Sequence, residues 1–107
     1  MLRIGQVINL PPENLEAYTH LHDNIWPEVA QIIAECNIRN YSIYYLNGQL
    51  FAYMEYIGED FDADMAKMAA DENTQKWWDV CKPLQQPDSA RPQGAWWWDA
   101  KEVFHQD

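Results

Sequence analysis

The apolar positions at the start of the sequence alternate with polar ones. Within residues 2–10, Ile4, Gln6 and Ile8 fall on one side of an extended chain and their neighbours fall on the other. This period of two predicts a β-strand, and the pair of prolines that follows ends it.

The next apolar positions recur at steps of three, four and three residues, at Leu15, Tyr18, His22 and Ile25. This spacing forms one stripe of an α-helix and predicts a helix over about residues 13–22. Because leucine and isoleucine share the stripe, we expect Tyr18 and His22 to face the interior as neighbours one turn apart. A core histidine that hydrogen-bonds a backbone carbonyl would show the same pattern, so that interpretation stays open.

Pro27 interrupts the helical pattern. Proline has no N–H to donate and disfavours the helical conformation in the residue before it, so the first helix should stop or kink between Asp23 and Trp26. A new helix should begin with Pro27 in its first turn. A second apolar stripe predicts that this helix runs to about Cys36, with Asn37 as its stop.

The clearest local signal is a β-hairpin between residues 41 and 57, where two β-rich runs flank Asn47-Gly48. The predicted register pairs Tyr45 with Leu50, Ile43 with Ala52 and Tyr41 with Met54 on one face, and Tyr44 with Phe51 and Ser42 with Tyr53 on the other. Both faces are apolar or aromatic, which favours a sheet that is covered on both sides. A second copy of the chain would cover the outer face, and we expect a homodimer.

The second half of the chain predicts a helix over residues 59–70, which opens with acidic side chains, and a shorter helical turn that carries Trp77 and Trp78. A proline-rich loop over residues 83–94 follows. Residues 95–105 are then expected to form a closing strand.

The predicted elements follow the order βαββαβ. This order is typical of an α+β protein, the ferredoxin-like sandwich, with an antiparallel sheet and helices on one face. Residues 1–107 show no linker or repeat, so we expect a single domain. Two such sheets packed face to face would form a dimeric α+β barrel.

The chain carries a net charge of −10, from 17 acidic and 7 basic residues. This charge would repel nucleic acid and anionic membranes, and no basic run offsets it, so neither is expected as a partner. The sequence shows no membrane-spanning apolar stretch and no signal-peptide pattern, so we expect a cytoplasmic protein. In that reducing compartment Cys36 and Cys81 would stay thiols.

Six tryptophans, six tyrosines and three phenylalanines suit a pocket that is apolar and hydrogen-bonding at once. If the first helix packs on the sheet, Tyr18, His22 and Tyr41 converge, and Trp77 and Trp78 close one edge. Indoles pack against the C–H faces of a sugar ring while phenols bind its oxygens, so a small sugar fits this description. Histidine, with an unperturbed pKa of ~6.5, can move the protons that open and close the ring without a metal or cofactor.

Other chemistries have weaker support in the sequence. His20, His22, Asp23 and Glu28 are the candidates for a metal site, but the two histidines fall on different helix faces, so no metal is expected. The glycine-rich motifs of nucleotide-binding loops and the GxSxG motif of serine hydrolases are absent.

Five segments resemble the L-rhamnose mutarotase family in order and spacing over nearly the whole chain: EAYTHLHDNIWPE, NYSIYYL, LFAYMEY, TQKWW and EVFH. The resemblance implies a dimeric α+β barrel protein that interconverts the α and β anomers of L-rhamnose. It places the proton donor on His22. It places the sugar contacts on Tyr18, Tyr41, Trp77 and Trp78.

Three alternatives remain open at this point. The segment KPLQQP looks more like relatives associated with L-fucose, which makes L-fucose the alternative sugar. A cofactor-independent monooxygenase on the same barrel would also use an aromatic pocket. A sugar-binding module without catalysis is the third, since a fold alone does not determine a function.

Overall fold

The computed structural model describes residues 1–107. Its regular elements are β1 (Leu2–Asn9), α1 (Leu15–Asp23), α2 (Pro27–Glu35), β2 (Ile38–Leu46), β3 (Gln49–Tyr56), α3 (Phe61–Ala70), α4 (Glu72–Cys81) and β4 (Trp98–Ala100). The four strands form one antiparallel sheet in the order β2-β3-β1-β4. Each helical position of the predicted βαββαβ order is occupied by two consecutive helices, α1 with α2 and α3 with α4. The predicted α+β class and this order are therefore confirmed.

The helices cover one face of the sheet. On that face β1 and β3 place Ile8 opposite Leu50 and Ile4 opposite Met54. The main core cluster joins this face to the helices through Ile8, Leu10, Tyr18, Val29, Leu50, Trp77 and Cys81. Because these apolar residues leave water together, their burial holds α1, α2 and α4 against the sheet.

The break between the first two helices lies where proline chemistry predicts it. Helix α1 ends at Asp23, and α2 begins at Pro27 after Trp26 adopts an extended conformation (φ −64°, ψ 131°). Asn37 follows α2 with φ 66°, the left-handed conformation of a helix stop. The break turns the chain so that both helices pack on the same sheet.

The hairpin keeps the predicted register only from its turn to the pair Ser42–Tyr53. Asn47 and Gly48 have φ of 50° and 80°, as a type I′ turn requires. Beyond Ser42 the register shifts, and the next pair is Arg39–Glu55.

The predicted pair Tyr41–Met54 is therefore wrong. Asn40 and Tyr41 together lie opposite the single residue Met54, which is a β-bulge. Asn40 takes a left-handed φ of 51°, and its amide donates a hydrogen bond of 2.6 Å to Glu55. Because the extra residue shifts the alternation, both Tyr41 and the buried Ile38 face the helices.

The predicted closing strand over residues 95–105 is wrong in its length. Only Trp98–Ala100 pairs with β1, opposite Gly5–Val7. Trp96 and Trp97, which precede this strand, are held by contacts of their side chains instead of by strand pairing. Both line the cavity beneath the helices. Residues 101–107 have no regular structure, and Phe104 is 76% exposed.

The sheet face that points away from the helices carries large apolar side chains. Tyr44 and Leu46 of β2, Phe51 of β3 and Trp98 of β4 are all exposed there, Tyr44 by 65%. The structure thus confirms that the hairpin is apolar on two sides. None of the helices is both long enough and apolar enough to cross a membrane.

Candidate active site

His22 lies in the last turn of α1, and its ring is anchored by the helix backbone. The Nδ1 atom is 2.8 Å from the carbonyl oxygen of Tyr18, one turn earlier. A carbonyl oxygen only accepts hydrogen bonds, so Nδ1 carries the proton and donates it. The lone pair of the neutral ring is therefore on Nε2, which has no hydrogen-bond partner in the protein and is not sealed away from solvent.

The pKa of His22 is lowered from its ordinary value of 6.5. Burial of the ring is the main cause, while the hydrogen bond to the backbone of Tyr18 and the charge of Asp23 act in the opposite direction. At neutral pH the ring is accordingly uncharged, with Nε2 ready to accept a proton.

Aromatic rings hold the imidazole of His22 in place on two sides. The Tyr18 ring stacks on it with a centroid distance of 4.1 Å and an interplanar angle of 27°. Trp77 of α4 meets it edge-on at 5.3 Å, and Trp26 packs against Trp77 at 5.1 Å. These contacts restrict the direction in which Nε2 points.

Tyr18 and Tyr41 line the same cavity. Burial is the main cause that raises the pKa of Tyr18 well above its usual value, and the Tyr41 hydroxyl adds to the effect. Burial also raises the pKa of Tyr41 to about 12, although 39% of that residue as a whole is exposed. Both phenols therefore stay neutral and keep their protons over the physiological range.

Trp77 and Trp78 are adjacent in α4 but have different surroundings. Trp77 is buried against His22 and Trp26, as described above. Trp78 is only half-buried, and the Lys82 ammonium lies 5.0 Å from its ring centroid. The pair thus supplies one inner wall and one outer wall of the same cavity.

All five residues that the sequence singled out line one cavity of about 750 Å³: Tyr18, His22, Tyr41, Trp77 and Trp78. This volume is within the range of small-molecule sites, and the lining is mostly apolar with a few polar groups. The metal alternative gains no support, because no three His, Cys, Asp or Glu side chains come together to hold an ion.

The proline-rich loop and the residues next to it bring three further side chains to the cavity that the sequence did not single out: Gln85 from the loop, Lys82 before it and Trp96 after it. Gln85 donates a hydrogen bond of 3.1 Å to the hydroxyl of Tyr18, across 67 positions of sequence. The only sequence signal was the position of the loop directly after the tryptophan pair. Its folding back over the cavity depends on side-chain contacts that no periodic pattern reveals.

Comparison with known proteins gives the family. A family model described as L-rhamnose mutarotase matches residues 3–106. The chain belongs to the L-rhamnose mutarotase family.

Relatives named L-rhamnose mutarotase match along their whole length. The protein of Shouchella clausii is 35% identical over 108 residues, with 98% of each chain covered. The proteins of Lactiplantibacillus plantarum and Bacillus subtilis are each 35% identical over 109 residues, with 100% of each chain covered.

Solved structures agree with the family assignment. The crystal structure of the L-rhamnose mutarotase of Formosa agariphila superposes with a TM-score of 0.79 at 25% identity, and all of both chains is covered. The tetracenomycin F2 cyclase of Streptomyces glaucescens has a TM-score of 0.67 at 14% identity, with 99% of this chain and 96% of that one covered. At that identity the cyclase shows a shared fold alone.

Proposed function

We propose that this member of the L-rhamnose mutarotase family interconverts the α and β anomers of L-rhamnose as a single-domain enzyme. The observation that carries the proposal is the free Nε2 lone pair of a neutral His22 in a cavity lined by phenols and indoles. The full-length match to relatives named L-rhamnose mutarotase supports the choice of sugar.

The reaction needs one proton to move between two oxygens of the same carbon. In the proposed mechanism, Nε2 of His22 takes the proton of the anomeric hydroxyl while the bond between C1 and the ring oxygen breaks. The ring oxygen takes a proton, and C1 becomes the aldehyde carbon of the open chain. Rotation about the C1–C2 bond and the reverse transfers then close the ring as the other anomer.

A single nitrogen is suited to both transfers. The anomeric oxygen and the ring oxygen are bonded to the same carbon, so the imidazolium formed in the first transfer lies next to the second oxygen. Proton transfer by a positioned side chain typically contributes about 10²–10⁴-fold to a rate. The neutral phenols of Tyr18 and Tyr41 would bind sugar oxygens, and Trp77 and Trp78 would pack against the ring.

The proposal includes a homodimer formed through the outer face of the sheet. Tyr44, Leu46, Phe51 and Trp98 give this face an apolar surface that a second copy would bury. Two sheets packed in this way would close the α+β barrel. The cytoplasm remains the expected compartment, which suits the two unpaired thiols of Cys36 and Cys81.

The test is anomer exchange measured by polarimetry or by exchange NMR, with the buffer rate subtracted. The wild-type protein should accelerate exchange of L-rhamnose more than that of L-fucose or the D-sugars. His22→Gln and His22→Ala should lose the acceleration, whereas His20→Gln, a change at an exposed histidine of the same helix, should keep it. Full activity of both His22 variants would remove the assigned role. A preference for L-fucose would change the sugar but keep the reaction.

A further inference from the structure

A chain of two hydrogen bonds links the proline-rich loop to the proposed sugar site. The indole Nε1 of Trp96 donates to Oε1 of Gln85 over 2.8 Å. The Nε2 atom of Gln85 donates to the hydroxyl oxygen of Tyr18 over 3.1 Å. All three side chains line the cavity that contains His22.

The direction of each hydrogen bond follows from the chemistry of its ends. An indole N–H only donates, so the side of the Gln85 amide that faces Trp96 is its carbonyl oxygen. The amide nitrogen must then face Tyr18, and it only donates. The hydroxyl oxygen of Tyr18 is thereby an acceptor towards the loop, and its own proton is left for a partner on the cavity side.

The indole of Trp96 is itself held in place by two cations. The Lys82 ammonium lies 5.1 Å from its ring centroid, and the Arg91 guanidinium lies 5.8 Å from it. Lys82 also faces the ring of Trp78, so these contacts join the loop to the outer wall of the cavity. The indole N–H of Trp96, which donates to Gln85, therefore has a fixed position.

We propose that Gln85 and Trp96 are positioning residues that fix Tyr18 as a hydrogen-bond donor to an acceptor oxygen of the bound sugar. The inference rests on the proposed function, since it takes the sugar as the ligand of the cavity. It assigns a role to the loop of residues 83–94 and to the tryptophan that follows it. Neither residue touches the reacting atoms, so the effect should fall on sugar binding.

The test compares Gln85→Glu with Gln85→Leu in the full chain. The ionised carboxylate of Gln85→Glu has no proton to donate and would accept from both neighbours, so it would draw the Tyr18 proton away from the sugar. We expect KM for L-rhamnose to rise by about 10-fold, with a smaller change in kcat, because one hydrogen bond is lost. Gln86→Glu makes the same chemical change at the exposed neighbouring residue and should leave KM unchanged.

The pH dependence separates this role from a merely structural one. A protonated carboxyl group can accept from Trp96 and donate to Tyr18, which is the pattern of the original amide. The KM of Gln85→Glu, divided by that of the wild type at the same pH, should therefore approach one as the pH falls. The same ratio for Gln85→Leu should not change with pH.

A third variant, at Trp96, tests the other end of this pair of hydrogen bonds. It keeps the proposal testable if either Gln85 variant fails to fold. Trp96→Phe keeps an aromatic ring but removes the N–H. The side-chain amide of Gln85 can then flip, so that its oxygen faces Tyr18. We expect KM to rise, by less than in Gln85→Glu. In a Tyr18→Phe background, Gln85→Glu and Trp96→Phe should have no further effect on KM.

The outcomes distinguish the two proposals. If the wild type is active but Gln85→Glu matches Gln86→Glu at every pH, the positioning role is wrong and the proposed function stands. A KM ratio of Gln85→Glu that stays raised at every pH, like that of Gln85→Leu, would also overturn the positioning role. A wild type without activity on L-rhamnose would overturn the proposed function, and with it the sugar as the partner of Tyr18.

Discussion

The Nδ1 proton of His22 is donated to the carbonyl oxygen of Tyr18, 2.8 Å away and one helical turn earlier. The same Tyr18 stacks its ring on the imidazole and turns its hydroxyl to the cavity. One residue thus fixes the tautomer of the proposed acid–base group through its backbone and the position of the imidazole through its ring, and its hydroxyl is the proposed sugar contact.

The first prediction concerns pH. In the proposed mechanism catalysis starts from neutral His22, and burial lowers the pKa of His22, so kcat/KM should rise with pH through an inflection below about 6.5. Asp23→Asn removes a charge that raises this pKa and should move the inflection to lower pH. An enzymatic profile with its inflection above pH 7, after subtraction of the buffer rate, would contradict the neutral ring.

A second prediction separates the two tyrosines. Tyr18→Phe and Tyr41→Phe should both raise KM, because each removes a hydroxyl from the cavity. Only Tyr18→Phe leaves a donor of Gln85 without its acceptor, so it alone should lower the free energy of unfolding, by about 1–3 kcal/mol. Urea unfolding measures this difference, and equal stability of the two variants would argue against the bond to Gln85.

The third prediction concerns the β-bulge. Asn40 has a left-handed φ of 51°, so Asn40→Ala should destabilise the protein by about 1–2 kcal/mol through backbone strain. Asn40→Gly loses the same hydrogen bond to Glu55 but tolerates the conformation, and should destabilise it less. Thermal unfolding of both variants gives the comparison. The reverse order of stability would contradict a strained position.

A fourth prediction concerns the close packing at Gly58. A Cβ atom there would clash with the hydroxyl of Tyr56, which donates a hydrogen bond to Asp64 and accepts one from the backbone N–H of Asp60. Gly58→Ala should destabilise the protein by about 1–3 kcal/mol, because this cluster must move. In Gly5→Ala the nearest atom is 3.9 Å away, so urea unfolding should show a much smaller loss.

The fifth prediction addresses the proposed dimer. Sedimentation at micromolar concentration should show two copies for the wild type and one for Tyr44→Lys, because a charge would be placed in the apolar interface. Val80 is exposed to 40% on α4, away from the sheet, and Val80→Lys should stay dimeric. A monomeric wild type would contradict the interface.

Local patterns predicted much of the fold and of the site. The helical spacing of Tyr18 and His22 placed them side by side, and Asn47-Gly48 fixed the turn of the hairpin. These features depend on residues within a few positions of one another. Their physical causes are a helical period and a turn with left-handed backbone angles, and both can be recognised from the local sequence.

Features that depend on distant contacts were not predicted. The predicted hairpin began at Tyr41 and carried its register into the bulge, because an asparagine at position 40 also occurs in ordinary turns and loops and does not by itself indicate a bulge. The segment before β4 has the composition of a strand, but Trp96 bonds to Gln85 instead of entering the sheet. Tertiary contacts decided the conformation in both cases.

The group proposed to move protons is held by the main chain of a helix, whereas the donor direction of Tyr18 is set by a loop that lies outside the sheet and the helices. Exchange of that loop would alter the fit of a substrate without disturbing the imidazole. The proposed reaction and the choice of sugar would thus be open to change independently of each other.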